Sequence, residues 1–115
     1  MFSSDLEELG LSVEESKVYL AVLELGGSFA SAIAKKAGVA RVNCYHTLGN
    51  LVKKGLISTL SKNGVKYFTV DSPKILVNQM EEKFLHAKKI LPELCRLRTL
   101  WLINQKFNIT KGNRG

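Results

Sequence analysis

Two helical patterns separated by a glycine-containing turn, with an Asn-Gly hairpin directly after them, constrain the fold of this chain more than any other feature. The first pattern covers 32–37 and the second about 40–54, and a glycine follows each. Two runs of strand-forming residues, 56–60 and 65–70, then flank Asn63-Gly64. Asn-Gly favours a two-residue type I′ turn because both residues tolerate positive φ. The order predicts helix, tight turn, helix and wing, the outline of a winged helix-turn-helix.

Two capping-box sequences come before this motif. Ser4-Asp5-Leu6-Glu7 predicts a short first helix, and Ser12-Val13-Glu14-Glu15 predicts a second one that ends at Gly26-Gly27. Phe29-Ala30 is compatible with a very short strand, and Ser31 with the cap of the following helix. We therefore expect a mainly α fold with a small β-hairpin, in which residues 1–71 form one domain.

The helix predicted for about 40–54 has two unlike faces at about 100° per residue. One face is typical of a core and carries Cys44, Leu48, Leu51 and Val52. The other, which we call the outer face, holds Val42, Asn43, Tyr45, His46, Gly49, Asn50 and Lys53. It contains no acid, and its amides, His and Tyr can hydrogen-bond base edges or phosphates. These features predict a recognition helix for DNA, although the helix-turn-helix pattern alone is equally compatible with a helical hairpin inside a core.

The charge distribution favours a polyanionic partner. The net charge is +7 and the pI is about 9.6. No Asp or Glu occurs between Gly26 and Val70, whereas that stretch contains Lys35, Lys36, Arg41, Lys53, Lys54, Lys62 and Lys66. With Asn63-Gly64 as the loop, Lys62 faces Val65 and Ser61 faces Lys66, so the hairpin tip is basic. Lys62 and Lys66 are therefore predicted to reach phosphates or a minor groove; a merely solvated turn is the alternative.

A long amphipathic helix is predicted after this domain. Ser72-Pro73 provides a cap and a first-turn proline, and the pattern continues to about Ile103. Apolar residues alternate four and three apart, with Lys83 as the one polar member. This seam, typical of a coiled coil, consists of Leu76, Met80, Ala87, Ile90, Leu94, Leu97 and Trp101. We expect residues 72–103 to dimerise with a second copy of the chain; a helix that folds back on its own core is the alternative.

Two further expectations concern this C-terminal segment. Pro92 removes one backbone hydrogen bond, which predicts a kink or break near Leu91. Residues 104–115 show no apolar period and are expected to form a flexible basic tail.

Other classes of function find little support. The N-terminus does not resemble a signal peptide and no apolar run reaches the length of a membrane span, so a cytoplasmic, nucleoid-associated protein is expected. No constellation of acid, base and nucleophile predicts catalysis. Cys44 and His46 point to opposite helix faces, and His86 and Cys95 are nine residues apart, so no metal site, cofactor or small-molecule ligand is predicted. Redox sensing by Cys44 stays open, with a buried structural thiol as the default interpretation.

Several segments resemble the DNA-binding domain of archaeal TrmB-type, MarR-like transcriptional regulators. They are Leu9-Gly10-Leu11-Ser12, Glu15-Ser16-Lys17-Val18-Tyr19-Leu20, Ile33-Ala34-Lys35-Lys36-Ala37-Gly38-Val39, Arg41 with Tyr45, and Leu51-Val52-Lys53-Lys54-Gly55-Leu56-Ile57. The resemblance implies a winged helix, major-groove reading by the helix that starts near Arg41, and dimerisation through the last helix. It places Arg41, Val42, Asn43, Tyr45 and His46 on the recognition surface.

The resemblance is incomplete at several positions. Ala40 stands where the family usually has Pro, and Val42 and Asn43 stand where it usually has small hydroxylated residues. His46 replaces a residue that is often acidic or polar, so the family does not supply the operator sequence. We expect a DNA-binding domain without the C-terminal sugar-sensing domain of the larger members.

The sequence thus predicts a non-enzymatic, sequence-specific regulator of transcription that binds double-stranded DNA as a homodimer. Two alternatives remain at this stage. One is a chromatin-type protein that binds any duplex, and the other is a winged helix whose basic surface contacts an acidic protein. Sequence preference and salt dependence of duplex binding separate the three.

Overall fold

A computed structural model describes the backbone from Phe2 to Arg114 and the side chains from Phe2 to Lys106. The helices are α1 (Ser3–Glu8), α2 (Val13–Leu25), α3 (Ala30–Ala37), α4 (Arg41–Lys53) and α5 (Lys74–Arg114). The strands are β1 (Ser28–Phe29), β2 (Ser58–Lys62) and β3 (Val65–Thr69). The chain divides into two compact units, Met1–Asn78 and Gln79–Gly115. The predicted mainly α fold with a small hairpin is confirmed.

Only one of the two predicted capping boxes forms. The Ser12 backbone N–H donates to Glu15 Oε1 at 2.8 Å, and the Glu15 N–H donates to Ser12 Oγ at 3.1 Å, so α2 begins as predicted. The Ser4 box was wrong, because α1 already starts at Ser3 and has no side-chain cap. Ser31 is likewise not a cap, since α3 starts at Ala30. Each of these uncapped helices has a buried apolar residue in its first turn, Leu6 in α1 and Ala30 in α3.

A three-stranded antiparallel sheet has the order β1-β3-β2. Its β2–β3 hairpin, the wing, turns at Asn63 and Gly64 with φ of 51° and 76°, as a type I′ turn requires. The predicted register is confirmed, because Lys62 pairs with Val65 and Ser61 with Lys66. β2 begins two residues later than predicted, at Ser58, because Leu56 and Ile57 enter the core instead. β1 lies one residue earlier than the predicted Phe29-Ala30.

The first unit has a continuous apolar core. Its largest fully buried side chains are Ile33, Leu48, Leu51, Val18, Val22, Cys44 and Ser16. The core face predicted for α4 is therefore confirmed at Cys44, Leu48 and Leu51. Val52 is only partly buried, and Thr47 is buried in its place. This packing fixes α4 through one face and leaves the outer face to solvent.

Helix α5 is longer and more regular than predicted. Ser72 caps it by accepting a hydrogen bond from the Lys74 N–H at 3.2 Å. Of the predicted kink or break near Leu91, the break does not occur, because the helix continues through Pro92. The proline cancels one hydrogen bond, but its surroundings are exposed and water can solvate the freed carbonyl. The backbone is helical past the expected end at Ile103, up to Arg114; Gly115 and the side chains from 107 onward lie outside the described residues.

Within the part of the chain that the structure describes, no helix combines the length and apolar character needed to cross a membrane.

Candidate nucleic-acid interface

The outer face of α4 is open along its whole length. Val42, Asn43, Tyr45, His46, Gly49 and Lys53 are exposed, together with Arg41 in the first turn, and Asn50 is half-buried. Val42 is 80% exposed and Tyr45 44%. The structure therefore brings together on one surface all seven DNA-contacting residues predicted for α4.

The start of α4 is suited to an anion. Its N-cap is Ala40, whose side chain cannot accept the free N–H groups of the first turn, and that turn contains no acid. Unsatisfied N–H groups and the helix dipole favour negative charge at this end. Arg41 adds a full positive charge there. This end of α4 can thus bind a phosphate while the side chains of the next turn reach further.

The wing carries two exposed lysines, and an aromatic side chain of the sheet contacts one of them. Lys62 and Lys66 are exposed as predicted. Lys62 Nζ lies 4.0 Å from the centroid of the Tyr67 ring, which is a cation–π contact. Tyr67 in turn meets Phe29 edge-to-face with ring centroids 5.2 Å apart. The contact holds Lys62 close to the sheet, an arrangement that the sequence prediction missed. The signal was available in the register, since Lys62 and Tyr67 lie on adjacent paired strands.

Two lysines of the acid-free stretch are paired with acids of α2. Lys54 Nζ lies 2.9 Å from Glu15 Oε1, and Lys36 Nζ lies 3.3 Å from Glu24 Oε2. These contacts leave five basic residues of the stretch without an ion pair among the described side chains, and all but Lys35 lie on α4 or the wing: Lys35, Arg41, Lys53, Lys62 and Lys66. The positive surface is therefore narrower than the sequence predicts, and it is concentrated on α4 and the wing.

Glu15 braces the end of α4 against the start of α2. Burial opposes its ionisation, but the Ser12 backbone N–H and the Lys54 ammonium outweigh burial, so the pKa of Glu15 lies below its ordinary value. Thr47 Oγ1 also donates to Glu14 Oε2 at 3.3 Å. The first turn of α2 thus fixes α4 at its middle and its C-terminal end. Sequence reasoning found Glu15 as a cap and missed this second role.

The chemistry of Cys44 argues against a redox switch. Its side chain is fully buried, and its Sγ lies 3.8 Å from the Ala30 carbonyl oxygen. Burial, together with the nearby Glu14 carboxylate, raises the pKa of the thiol. The reactive thiolate is therefore disfavoured. Among the described residues, no group of three or more His, Cys, Asp or Glu side chains is placed to hold a metal ion.

The predicted seam on α5 is exposed from Ala87 onward. Ala87, Ile90, Leu94, Leu97 and Trp101 are all exposed, and Met80 is half-buried. Leu76 differs, because it is only 8% exposed and lies among apolar side chains of its own unit. Leu76 therefore offers little surface to the predicted dimer seam. A period of four and three cannot distinguish a residue that packs inside the chain from one that awaits a partner.

Comparison with known proteins places this geometry in a family. Residues 6–73 match the model of the family described as sugar-specific transcriptional regulator TrmB. The chain is 30% identical over 95 residues to the HTH-type sugar sensing transcriptional regulator TrmBL1 of Pyrococcus furiosus. That alignment includes 79% of this chain and 28% of TrmBL1, so the chain spans less than a third of that relative's length.

Two solved structures share the fold. TrmBL2, an archaeal chromatin protein described as showing a novel mode of DNA binding, has a TM-score of 0.76 and 19% identity over 90% of this chain and 41% of its own. The MarR family transcriptional regulator SPO1453 from Silicibacter pomeroyi has a TM-score of 0.54 and 16% identity over 78% of this chain and 66% of its own. At these identities the likeness concerns the fold alone.

Proposed function

This chain belongs to the TrmB family of sugar-specific transcriptional regulators, and from that membership we propose that it regulates transcription by binding double-stranded DNA sequence-specifically as a homodimer. The observation that carries the proposal is the outer face of α4. That face combines an acid-free surface with exposed Asn43, Tyr45 and His46 on a helix whose other side is locked in a core. Side chains on such a rigid support can read base edges.

In this proposal α4 enters the major groove and the wing contacts the backbone or minor groove. Asn43 and His46 lie within the first two turns of α4, the end that approaches bases in helix-turn-helix proteins. Arg41 and Lys53 flank them and bind phosphates, as does Lys66 at the wing. Phosphate contacts fix the register, and the uncharged side chains between them supply the discrimination.

The homodimer rests on the apolar side chains of α5. Ile90, Leu94 and Leu97 are each more than a third exposed in the single chain, at coiled-coil spacing. A second copy is the simplest partner that covers such a face, because a two-fold axis matches the seam to itself. Two recognition helices would then read half-sites about 34 Å apart or a multiple of it.

A second candidate is sequence-neutral coating of DNA. It is favoured by the fold likeness to TrmBL2, which is described as an archaeal chromatin protein. A protein of this kind needs the same phosphate contacts but makes little use of Asn43 and His46. The two functions therefore differ in what the outer face of α4 contributes to affinity.

Selection from a random duplex pool at two salt concentrations tests the proposal. An enriched inverted repeat is expected, with affinity that falls steeply as salt rises. Salt-sensitive binding without an enriched motif would overturn sequence-specific regulation and support sequence-neutral coating of DNA. Absence of duplex binding would overturn both and favour contacts with an acidic protein.

Two variants then separate base reading from phosphate binding. Asn43→Ala should lose discrimination at particular base pairs by about 1–3 kcal/mol. Lys66→Ala should weaken all duplexes alike and lower the log–log salt slope by about one unit for each lost phosphate contact, about two for the homodimer. Lys36→Ala is the matched control, because its ammonium is already paired with Glu24. Identical behaviour of Asn43→Ala and Lys66→Ala would contradict the roles given to α4 and the wing.

A further inference from the structure

Val42 is the most exposed of the large apolar side chains that the structure describes. Its exposed fraction is 80%, above the 64% of Phe84 and the 61% of Leu85 on the unpartnered helix α5. It stands in the first turn of α4, at the N-terminal end of the outer face, with polar Asn43 and His46 beside it. It is thus an isolated apolar group on an otherwise polar surface.

Val42 contributes neither to the core contacts nor to the cap of α4. Cys44, Leu48 and Leu51 hold α4 in the core from the opposite face, and the N-cap is Ala40. A β-branched residue is also a weaker helix former than Ala or Leu. Exposed at 80%, the side chain leaves nearly all of its apolar surface in water. A residue placed in this way contributes little to the free chain and gains by contact with an apolar group of a ligand.

We propose that Val42 reads the C5-methyl group of a thymine in the major groove. Thymine is the base that presents an apolar group there, and apolar side chains recognise it by direct contact. The two methyl groups of Val42 are held by a stiff χ1 angle, so they lose little conformational freedom on contact. The inference rests on the proposed DNA binding, and it assigns the apolar part of base recognition to this one side chain.

Deoxyuridine substitution tests the contact directly, because it removes only the C5-methyl group from a base pair. In the duplex selected by the wild-type protein, each thymine is replaced in turn by deoxyuridine and the dissociation constant is measured. At one thymine per half-site the wild type should bind about fourfold more weakly, the factor that corresponds to burial of one methyl-sized group. Val42→Ala removes the contact from both protomers, so it should bind the unmodified duplex about fourfold more weakly per half-site, roughly 16-fold in total, and should be insensitive to deoxyuridine at that position.

Val13→Ala is the matched control. Val13 is also an exposed valine in the first turn of a helix, but it belongs to α2 and is not part of the outer face of α4. This variant should bind like the wild type and keep the full response to deoxyuridine. The salt slope should stay the same in Val42→Ala, because an apolar contact releases no counterions. Circular dichroism of each variant checks that the helices are intact.

The outcomes distinguish this inference from the proposed function. Sequence-specific binding that ignores deoxyuridine at every thymine would overturn the thymine contact and leave the regulator intact. The same holds if Val42→Ala keeps the full deoxyuridine effect, because another side chain would then read the methyl. If the wild-type protein shows no sequence preference, the proposed function itself is overturned.

Discussion

The two units of this chain differ in how much of their apolar surface is buried within the chain itself. In the first unit, core side chains such as Ile33 and Leu48 are completely buried. In the second, every side chain from Glu81 to Lys106 is exposed, including Leu94, Leu97 and Trp101. A helix gains most of its stability in proteins by packing an apolar face. The first unit therefore carries its own core, whereas the described side chains of the second leave their apolar face exposed, as the proposed homodimer requires.

The largest effect is expected when a charge enters the α5 seam. Leu94→Glu should weaken the dimer by at least about a thousandfold. An unpaired buried charge costs roughly 3–5 kcal/mol, and a dimer of this variant would contain two such charges. Light scattering gives the mass, and circular dichroism should show loss of helix from α5 alone. The first unit should stay folded.

Leu85→Glu provides the control for this variant. Leu85 is also exposed but lies nine residues earlier, on the opposite side of the helix at about 100° per residue. It receives the same chemical change, and the dimer should persist. A dimer that survives Leu94→Glu would refute the seam, and a chain that unfolds completely would show that the two units are not as unequal as their burial indicates.

The second effect compares one leucine from each unit. Leu48→Ala removes a fully buried side chain and should lower the free energy of unfolding by about 2–5 kcal/mol at any protein concentration. Leu97→Ala should cost less in dilute solution and more as the concentration rises, because its burial requires a partner. Urea denaturation at two protein concentrations measures both. Equal and concentration-independent losses would remove the distinction between the units.

The sequence predicted best what depends on neighbouring residues. The Ser12–Glu15 capping box and the Asn63-Gly64 turn with its register are local, because their partners lie within a few positions. The core face of α4 followed from helical periodicity, which also placed the outer face correctly. These features were enough to identify the fold and to locate the candidate interface.

Contacts between distant segments were beyond the sequence patterns. Lys54 pairs with Glu15, 39 positions away, so the acid-free stretch looked more basic than the surface that it forms. Leu76 fits the seam spacing and is nevertheless buried in the first unit. Pro92 was predicted to kink or break a helix that continues past it as one element. In each case the outcome depends on what lies next to the residue in space.

A smaller effect tests how closely the first unit is packed. Gly27 has φ of +103°, and a Cβ there would lie 2.9 Å from Cε1 and Oη of Tyr67, which supports the wing. Gly27→Ala should therefore lower the free energy of unfolding by about 1–3 kcal/mol. Gly49→Ala is the control of opposite sign. Gly49 lies in a helix with open space around it, so the alanine variant should raise the free energy of unfolding by about 0.5–1 kcal/mol. Similar losses in both variants, measured by urea denaturation, would contradict this assignment.

The smallest effect concerns the brace between α2 and α4, and it depends on pH. Because the pKa of Glu15 is lowered in the folded chain, its carboxylate stabilises the fold above the pKa of an unfolded glutamate, about 4.3, and this contribution is lost as the pH falls through the lower folded value. Glu15→Gln should cost about 1 kcal/mol at pH 7, because the ion pair with Lys54 is lost and the hydrogen bond from the Ser12 N–H is to an uncharged acceptor, and the gap to wild type should narrow towards pH 3. Lys36→Met breaks an exposed pair with Glu24 and should cost less than about 0.5 kcal/mol. Urea denaturation across this pH range decides the matter, because a gap that stays constant would mean that Glu15 acts through packing and not through its charge.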